Sequence, residues 1–180
     1  EDPTYASQML YNTAKSITIG MSEMLPNGGF SEGPGYWTYQ TQYITYLISC
    51  LDSALGTDFG LGEMPGFRDA VLFPVYMYGP TYTAFNFADS GESTPVTVYF
   101  YWFAKKYGMD GLQKIAQDVD PSGTNYSGWE MKGTDSLILL WYETMEKSIY
   151  DELPTGRLFR GKVPAASMRT EWDNAMATYV

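Results

Sequence analysis

Residues 27–39, Asn-Gly-Gly-Phe-Ser-Glu-Gly-Pro-Gly-Tyr-Trp-Thr-Tyr, bring an acid, two tyrosines and a tryptophan to the outlet of a glycine-rich loop. The apolar periodicity that begins at Tyr36 predicts a helix over 36–55, so this loop delivers its functional side chains to a helix start. Backbone N–H groups at a helix N-terminus lack intrahelical partners and stand at the positive end of the dipole. Such a place stabilises an anion, and it could lower the pKa of a tyrosine or hold a sugar carboxylate. The same residues equally describe an ordinary helix start packed by aromatics. Tyrosine ionises near pH 10 when unperturbed, so Tyr36 needs a nearby cation or donor to act as a base. Carboxylates such as Glu32 and Asp89 are candidates for paired acid–base work.

Absences narrow the chemistry further. The 180 residues contain no histidine and one cysteine, Cys50. A Ser-His-Asp or Cys-His nucleophile is therefore impossible within the chain, a zinc site is nearly excluded, and no metal or cofactor is expected. Cys50 lies among Leu47, Ile48 and Leu51, which predicts a buried small hydrophobe. Asp118, Asp120 and Ser122 imitate the start of a calcium loop, but Trp129 stands where the closing acid belongs and Glu130 follows one place late. That segment, with the sequon at Asn125, reads as a solvated loop.

Aromatic residues make up 17% of the chain, with 16 tyrosines and 5 tryptophans. Aromatic faces stack on the C–H faces of sugars, while tyrosine hydroxyls add hydrogen bonds; an aromatic core would have the same composition. The net charge of −10 argues against nucleic acid and against an anionic membrane surface. It also suits an acidic polysaccharide poorly, unless the late basic residues Arg157, Arg160, Lys162 and Arg169 form a local rim. No apolar run approaches the roughly 20 residues that a membrane span needs.

Helices must position these groups. Ala6, Leu10, Ala14, Ile17, Met21 and Met24 mark an amphipathic helix over about 5–24, and the Pro-Asn-Gly-Gly run at 26–29 ends it. The helix over 36–55 is expected to be central and buried on two faces. Tyr36, Tyr39, Tyr43, Tyr46 and Cys50 form one face, and Trp37, Ile44, Ile48, Leu51 and Leu55 form the other. Thr38, Gln42, Thr45, Ser49 and Asp52 fill the polar strip. Gly56 is placed to stop this helix in the left-handed conformation. A further helix over 65–78 should break or kink at Pro74. Residues 81–87 read as extended and 89–91 as a turn. Thr94-Pro95 should cap a buried helix over 95–107, followed by short helices over 111–117 and 134–141. Strands are expected over 167–172 and 175–180, with a domain boundary near 155. The fold class is mainly α, a helical array such as an α/α toroid, with short strands at the C-terminus.

The segments "GGFSEGPGYWTYQTQY", "LDSALGTDFGLGEMPGF", "GPTYTAFNFADSG" and "MRTEWDN" occur in that order, and together they resemble bacterial heparinase II/III-like polysaccharide lyases. The resemblance implies that residues 1–155 belong to an incomplete α/α toroid and 156–180 to a linker and the first strands of a β-sandwich domain. It implies cleavage of uronic-acid polysaccharide by β-elimination, in a periplasmic or secreted protein. By the same resemblance Tyr36 is the catalytic acid and base. Glu32, Trp37, Tyr39, Gln40 and Asn86 are expected to contact an acidic polysaccharide or oligosaccharide. The family's histidine and carboxylate-neutralising partners are missing, so the chain is expected to be a fragment that is inactive alone. A hydrolase using Glu32 and Asp89 and a noncatalytic glycan-binding protein are the alternatives.

Overall fold

The structure is a computed structural model and describes residues 2–92, 98–109, 111–119, 135–144 and 148–180. Thr94-Pro95, the acidic loop over 120–130 and the sequon at Asn125 lie outside these residues. The described chain is mainly helical and ends in a two-stranded antiparallel sheet. No described helix is long and apolar enough to cross a membrane.

Helix α1, Pro3–Met21, begins at Asp2, whose carboxylate accepts from the Thr4 N–H, with proline at the first helical position. A 3-10 turn, Ser22–Met24, completes the expected first helix. Only its end reaches the core. Met21 and Met24 are buried, whereas Leu10 stays exposed along with Tyr5, Met9, Tyr11 and Ile19.

Helix α2, Gly33–Leu55, starts three residues earlier than its periodicity suggests and ends at Gly56, which adopts φ 70° as expected. Its burial corrects the expectation of two buried faces. Trp37, Ile44, Ile48 and Leu51 are buried, but Tyr36, Tyr39, Tyr43, Cys50 and Leu55 are exposed. The interior is completed by Thr38, Thr41, Gln42 and Thr45, three of which had been placed on the polar strip. Small hydroxyl side chains can be buried on a helix by bonding back to the preceding turn, as Thr38 does to Pro34 O and Thr45 to Gln42 O. The tyrosines are thereby displaced outward.

The centre belongs instead to two later helices. Helix α3, Phe67–Ala70, stops where α4, Leu72–Met77, begins after Val71. Pro74 has no N–H to offer Ala70 O, so the chain breaks three residues before the proline rather than at it. All six residues of α4 are buried. Helix α5, Val98–Tyr107, is buried from Val98 through Ala104 and packs against α2, against α6, Leu112–Val119, and against α7, Asp135–Trp141. At its C-terminus Lys106 clamps Asp52 of α2 at 2.7 Å and Asp58 of the following loop at 2.9 Å.

Strands β1, Gly156–Phe159, and β2, Ala165–Met168, pair with Gly156 opposite Met168. The strands expected over 167–172 and 175–180 are corrected to this earlier hairpin. Of the expected pair, Ser167 and Met168 lie in β2, and residues 168–170 meet 178–180 through a bridge between Arg169 and Tyr179 and hydrogen bonds of Met168 with Val180 and Thr170 with Thr178. The hairpin shares the helical core. Phe159 is fully buried, edge-on to Phe73 at 5.3 Å and to Tyr76 at 5.9 Å.

Candidate functional site

The glycine-rich loop is held tightly on both sides. Gly28, at φ 89°, lies so close to the backbone of Asp69 that a Cβ there would sit 2.5 Å from its carbonyl. Asn27 reaches across to the hairpin, donating to Leu158 O and accepting from the Arg160 N–H. Ser31 donates to Glu23, whose carboxylate also pairs with Lys162. The Lys162 bond holds the Glu23 carboxyl below its ordinary pKa, against the opposing effect of burial.

The loop that carries Asn86 lies over the start of α2. Gly33, at φ 80°, leaves only enough room for Phe87 O, which would be 2.5 Å from an added Cβ. Ser90 Oγ accepts from the Gly35 N–H at 3.0 Å. These contacts bring Glu32, Tyr36 and the Asn86 loop to one end of the molecule. They also engage two of the N–H donors at this helix start. The Gly33 N–H is directed to Phe30 O, Pro34 has none, and Gly35 is bonded to Ser90. Tyr36 stands one turn inside the helix rather than at its mouth, because the helix begins at Gly33. Fewer N–H groups are therefore open to a carboxylate at this helix start than its sequence suggests.

The expected site residues divide into two groups. Glu32, Tyr36, Tyr39 and Asn86 are exposed. Tyr36 and Tyr39, with relative exposures of 36% and 42%, are joined by Tyr43 at 48%, one helical turn further on. The rings of Tyr39 and Tyr43 meet edge to face at 5.2 Å, and the hydrogen bond that the Tyr43 hydroxyl donates to Tyr39 raises the Tyr43 pKa. Trp37 and Gln40 are not available in the same way. Trp37 is fully buried against Phe100, with centroids 6.4 Å apart, so its ring presents no face to a ligand. Gln40 spends its amide on Gly20 O at 2.8 Å, tying α2 to the end of α1. Both serve packing. Tyr43 could have been found from sequence, since Tyr36, Tyr39 and Tyr43 follow helical spacing, but that spacing alone does not say which way the face turns.

The basic rim expected late in the chain is mostly spent inside the protein. Arg157 pairs with Asp69 at 2.9 Å, Lys162 with Glu23, and Arg169 stacks on Trp172 with its Cζ 3.7 Å from the ring centroid. Arg160 is exposed and takes part in none of the described ion pairs. Among the described residues no group of three or more histidine, cysteine, aspartate or glutamate side chains is placed to hold a metal ion.

The site thus defines a helical protein with an outward row of tyrosines beside a carboxylate, at the end of a long helix capped by a neighbouring loop. No family model matches the chain, and no curated protein matches it.

Proposed function

We propose that the tyrosine face at the start of α2 binds an acidic polysaccharide and that Tyr36 is the acid–base group of a uronic-acid polysaccharide lyase. The chain is then part of an α/α toroid, with the hairpin leading into a β-sandwich domain. One observation carries this reading. Helix α2 buries Thr38, Thr41, Gln42 and Thr45 and turns Tyr36, Tyr39 and Tyr43 outward. Burial of apolar surface by itself favours the reverse, so an exposed aromatic row needs another reason, and a ligand that stacks on aromatic rings supplies one.

In β-elimination the C5 proton of the uronate passes to Tyr36 as its phenolate, a C4–C5 double bond forms and the C4–O4 bond breaks. The proton from Tyr36 then goes to the departing O4. The C5 proton becomes acidic only when the uronate carboxylate is neutralised, and residues 27–43 contain no lysine or arginine. That observation favours a second reading, a glycan-binding face without chemistry.

A titration with an acidic oligosaccharide, followed by appearance of the ultraviolet-absorbing unsaturated product, separates the two. The chain is expected to bind and not to eliminate. Tyr39→Ala and Tyr43→Ala should each weaken binding about two- to tenfold, from the loss of ring contacts. In a longer protein carrying this segment together with a carboxylate-neutralising group, Tyr36→Phe should lower elimination by a factor of about 100 to 10,000. Binding that ignores the tyrosine substitutions overturns the glycan face. A Tyr36→Phe variant that keeps its rate leaves the binding reading alone standing.

A further inference from the structure

A cavity of about 230 Å³ lies on the C-terminal side of α4, where Tyr78 and Tyr82 meet Tyr150, Arg169, Trp172 and Asp173. It shares none of the residues of the tyrosine face. Its chemistry centres on Arg169. The guanidinium is half-buried and lies between the rings of Trp172, at 3.7 Å, and Tyr179, at 5.2 Å. Its one hydrogen bond among the described residues runs from Nη2 to Tyr78 O at 2.7 Å, and Nε has no partner. None of the described ion pairs includes it. Burial lowers the Arg169 pKa, and the groups that oppose this effect are tyrosines, not carboxylates. An arginine nevertheless keeps its charge in a protein. A desolvated cation without a counter-ion is costly, and a carboxylate is the group whose geometry matches the guanidinium fork.

Two further observations point to the same place. Four described non-glycine residues have positive φ, and two of them, Tyr82 at 59° and Asp173 at 53°, line this cavity. Such backbone is strained for residues with a side chain and gathers at ligand sites. Burial also raises the pKa of Tyr150, whose hydroxyl is bonded to Tyr82 within the lining. Size and charge limit the ligand. The cavity is smaller than the roughly 300–1,000 Å³ of sites for drug-sized molecules, which leaves room for about one ring. Glu171 and Asp173 share its lining with the single cation, so a singly charged carboxylate fits better than a phosphate or sulfate dianion.

We propose that this cavity is a binding site for a small ring compound bearing one carboxylate, with Arg169 as the partner of the carboxylate. The assignment does not depend on the role of Tyr36. A sugar acid and an aromatic acid both carry this chemistry, and titration distinguishes them. The whole chain is titrated with glucuronate, benzoate and glucose while nuclear magnetic resonance follows the indole N–H of Trp172 and the amide of Tyr82. One of the acids should bind at least about tenfold more tightly than glucose, as expected for a charged hydrogen-bonded pair. Which acid it is gives the source. Ala175→Phe places a ring among the lining residues without touching Arg169, and it should weaken that binding at least tenfold with an unchanged circular dichroism spectrum. Arg169→Gln should do the same; if it unfolds the protein, the Ala175 variant decides. Equal affinity for glucose, no shift with either acid, or an unchanged titration in Ala175→Phe would overturn the site and leave Arg169 as a structural staple.

Discussion

Phe159→Ala tests whether the C-terminal hairpin and the helices form one cooperative unit. The side chain is fully buried, although it belongs to a short strand whose neighbours are exposed. It meets Phe73 and Tyr76 edge-on at 5.3 and 5.9 Å, and the Arg157 guanidinium lies 5.2 Å from its ring. Truncating a buried phenylalanine to alanine costs about 3–5 kcal/mol. Loss of the two edge-on ring pairs places this site toward the upper part of that range. With a urea m-value of about 2 kcal/mol/M, a loss of about 4 kcal/mol lowers the unfolding midpoint by about 2 M. Urea melts would be followed by helical circular dichroism and by fluorescence of a variant that retains only Trp172. Both probes should shift together, because the mutation removes contacts on both sides of the junction. A change below about 1 kcal/mol, or a shift of the Trp172 signal alone, would refute the shared core. The hairpin would then be an independent unit beginning near residue 155.

Other expectations follow from single residues. Thr41 is fully buried with a hydroxyl that has no partner among the described residues, so the isosteric Thr41→Val should raise stability by about 1–3 kcal/mol in the same urea assay; a loss of stability would show that the hydroxyl is satisfied. Gly28→Ala should be strongly destabilising in thermal melts, since it imposes a Cβ at φ 89° and 2.5 Å from the Asp69 carbonyl; an unchanged melting temperature would refute the contact. Burial pushes the Asp58 carboxyl up, but Lys106 and the N–H groups of Gly60 and Gly62 hold its net pKa below the ordinary value. Its stabilising contribution is therefore complete above the ordinary aspartate range near pH 4 and is lost as pH falls through the lower folded value. Lys106→Met should lower stability at neutral pH and flatten the acid limb of a stability–pH curve, and an unchanged acid limb would remove the clamp from the account.

The order and kind of the helices were legible from local chemistry. Gly56 stops α2 because a glycine tolerates φ 70°, and Pro74 divides α3 from α4 because it lacks a donor; both effects act within one turn of the residue. The direction in which α2 faces was not legible. A tyrosine is apolar along its ring and polar at its tip, and a threonine can return its hydroxyl to its own helix, so periodicity permits either face to be buried. Contact with α4 and α5 decides between them, and it exposes Cys50 and the tyrosines while hiding Trp37. The hairpin was misplaced because residues 156–168 have little of the β-branched alternation that marks a strand, and Phe159 is drawn inward by Phe73 and Tyr76 from far back in the chain. For the site, Glu32, Tyr36, Tyr39 and Asn86 could be nominated from residue type and resemblance. That the Gly33 and Gly35 N–H groups at the start of α2 are already engaged depends on Phe30 and on Ser90, the latter 55 residues beyond Gly35. The cavity around Arg169 joins side chains from Tyr78 to Asp173. Local sequence specifies turns and caps within a few residues, whereas which face is buried and which cation has no carboxylate partner among the described residues are set by contacts between distant segments.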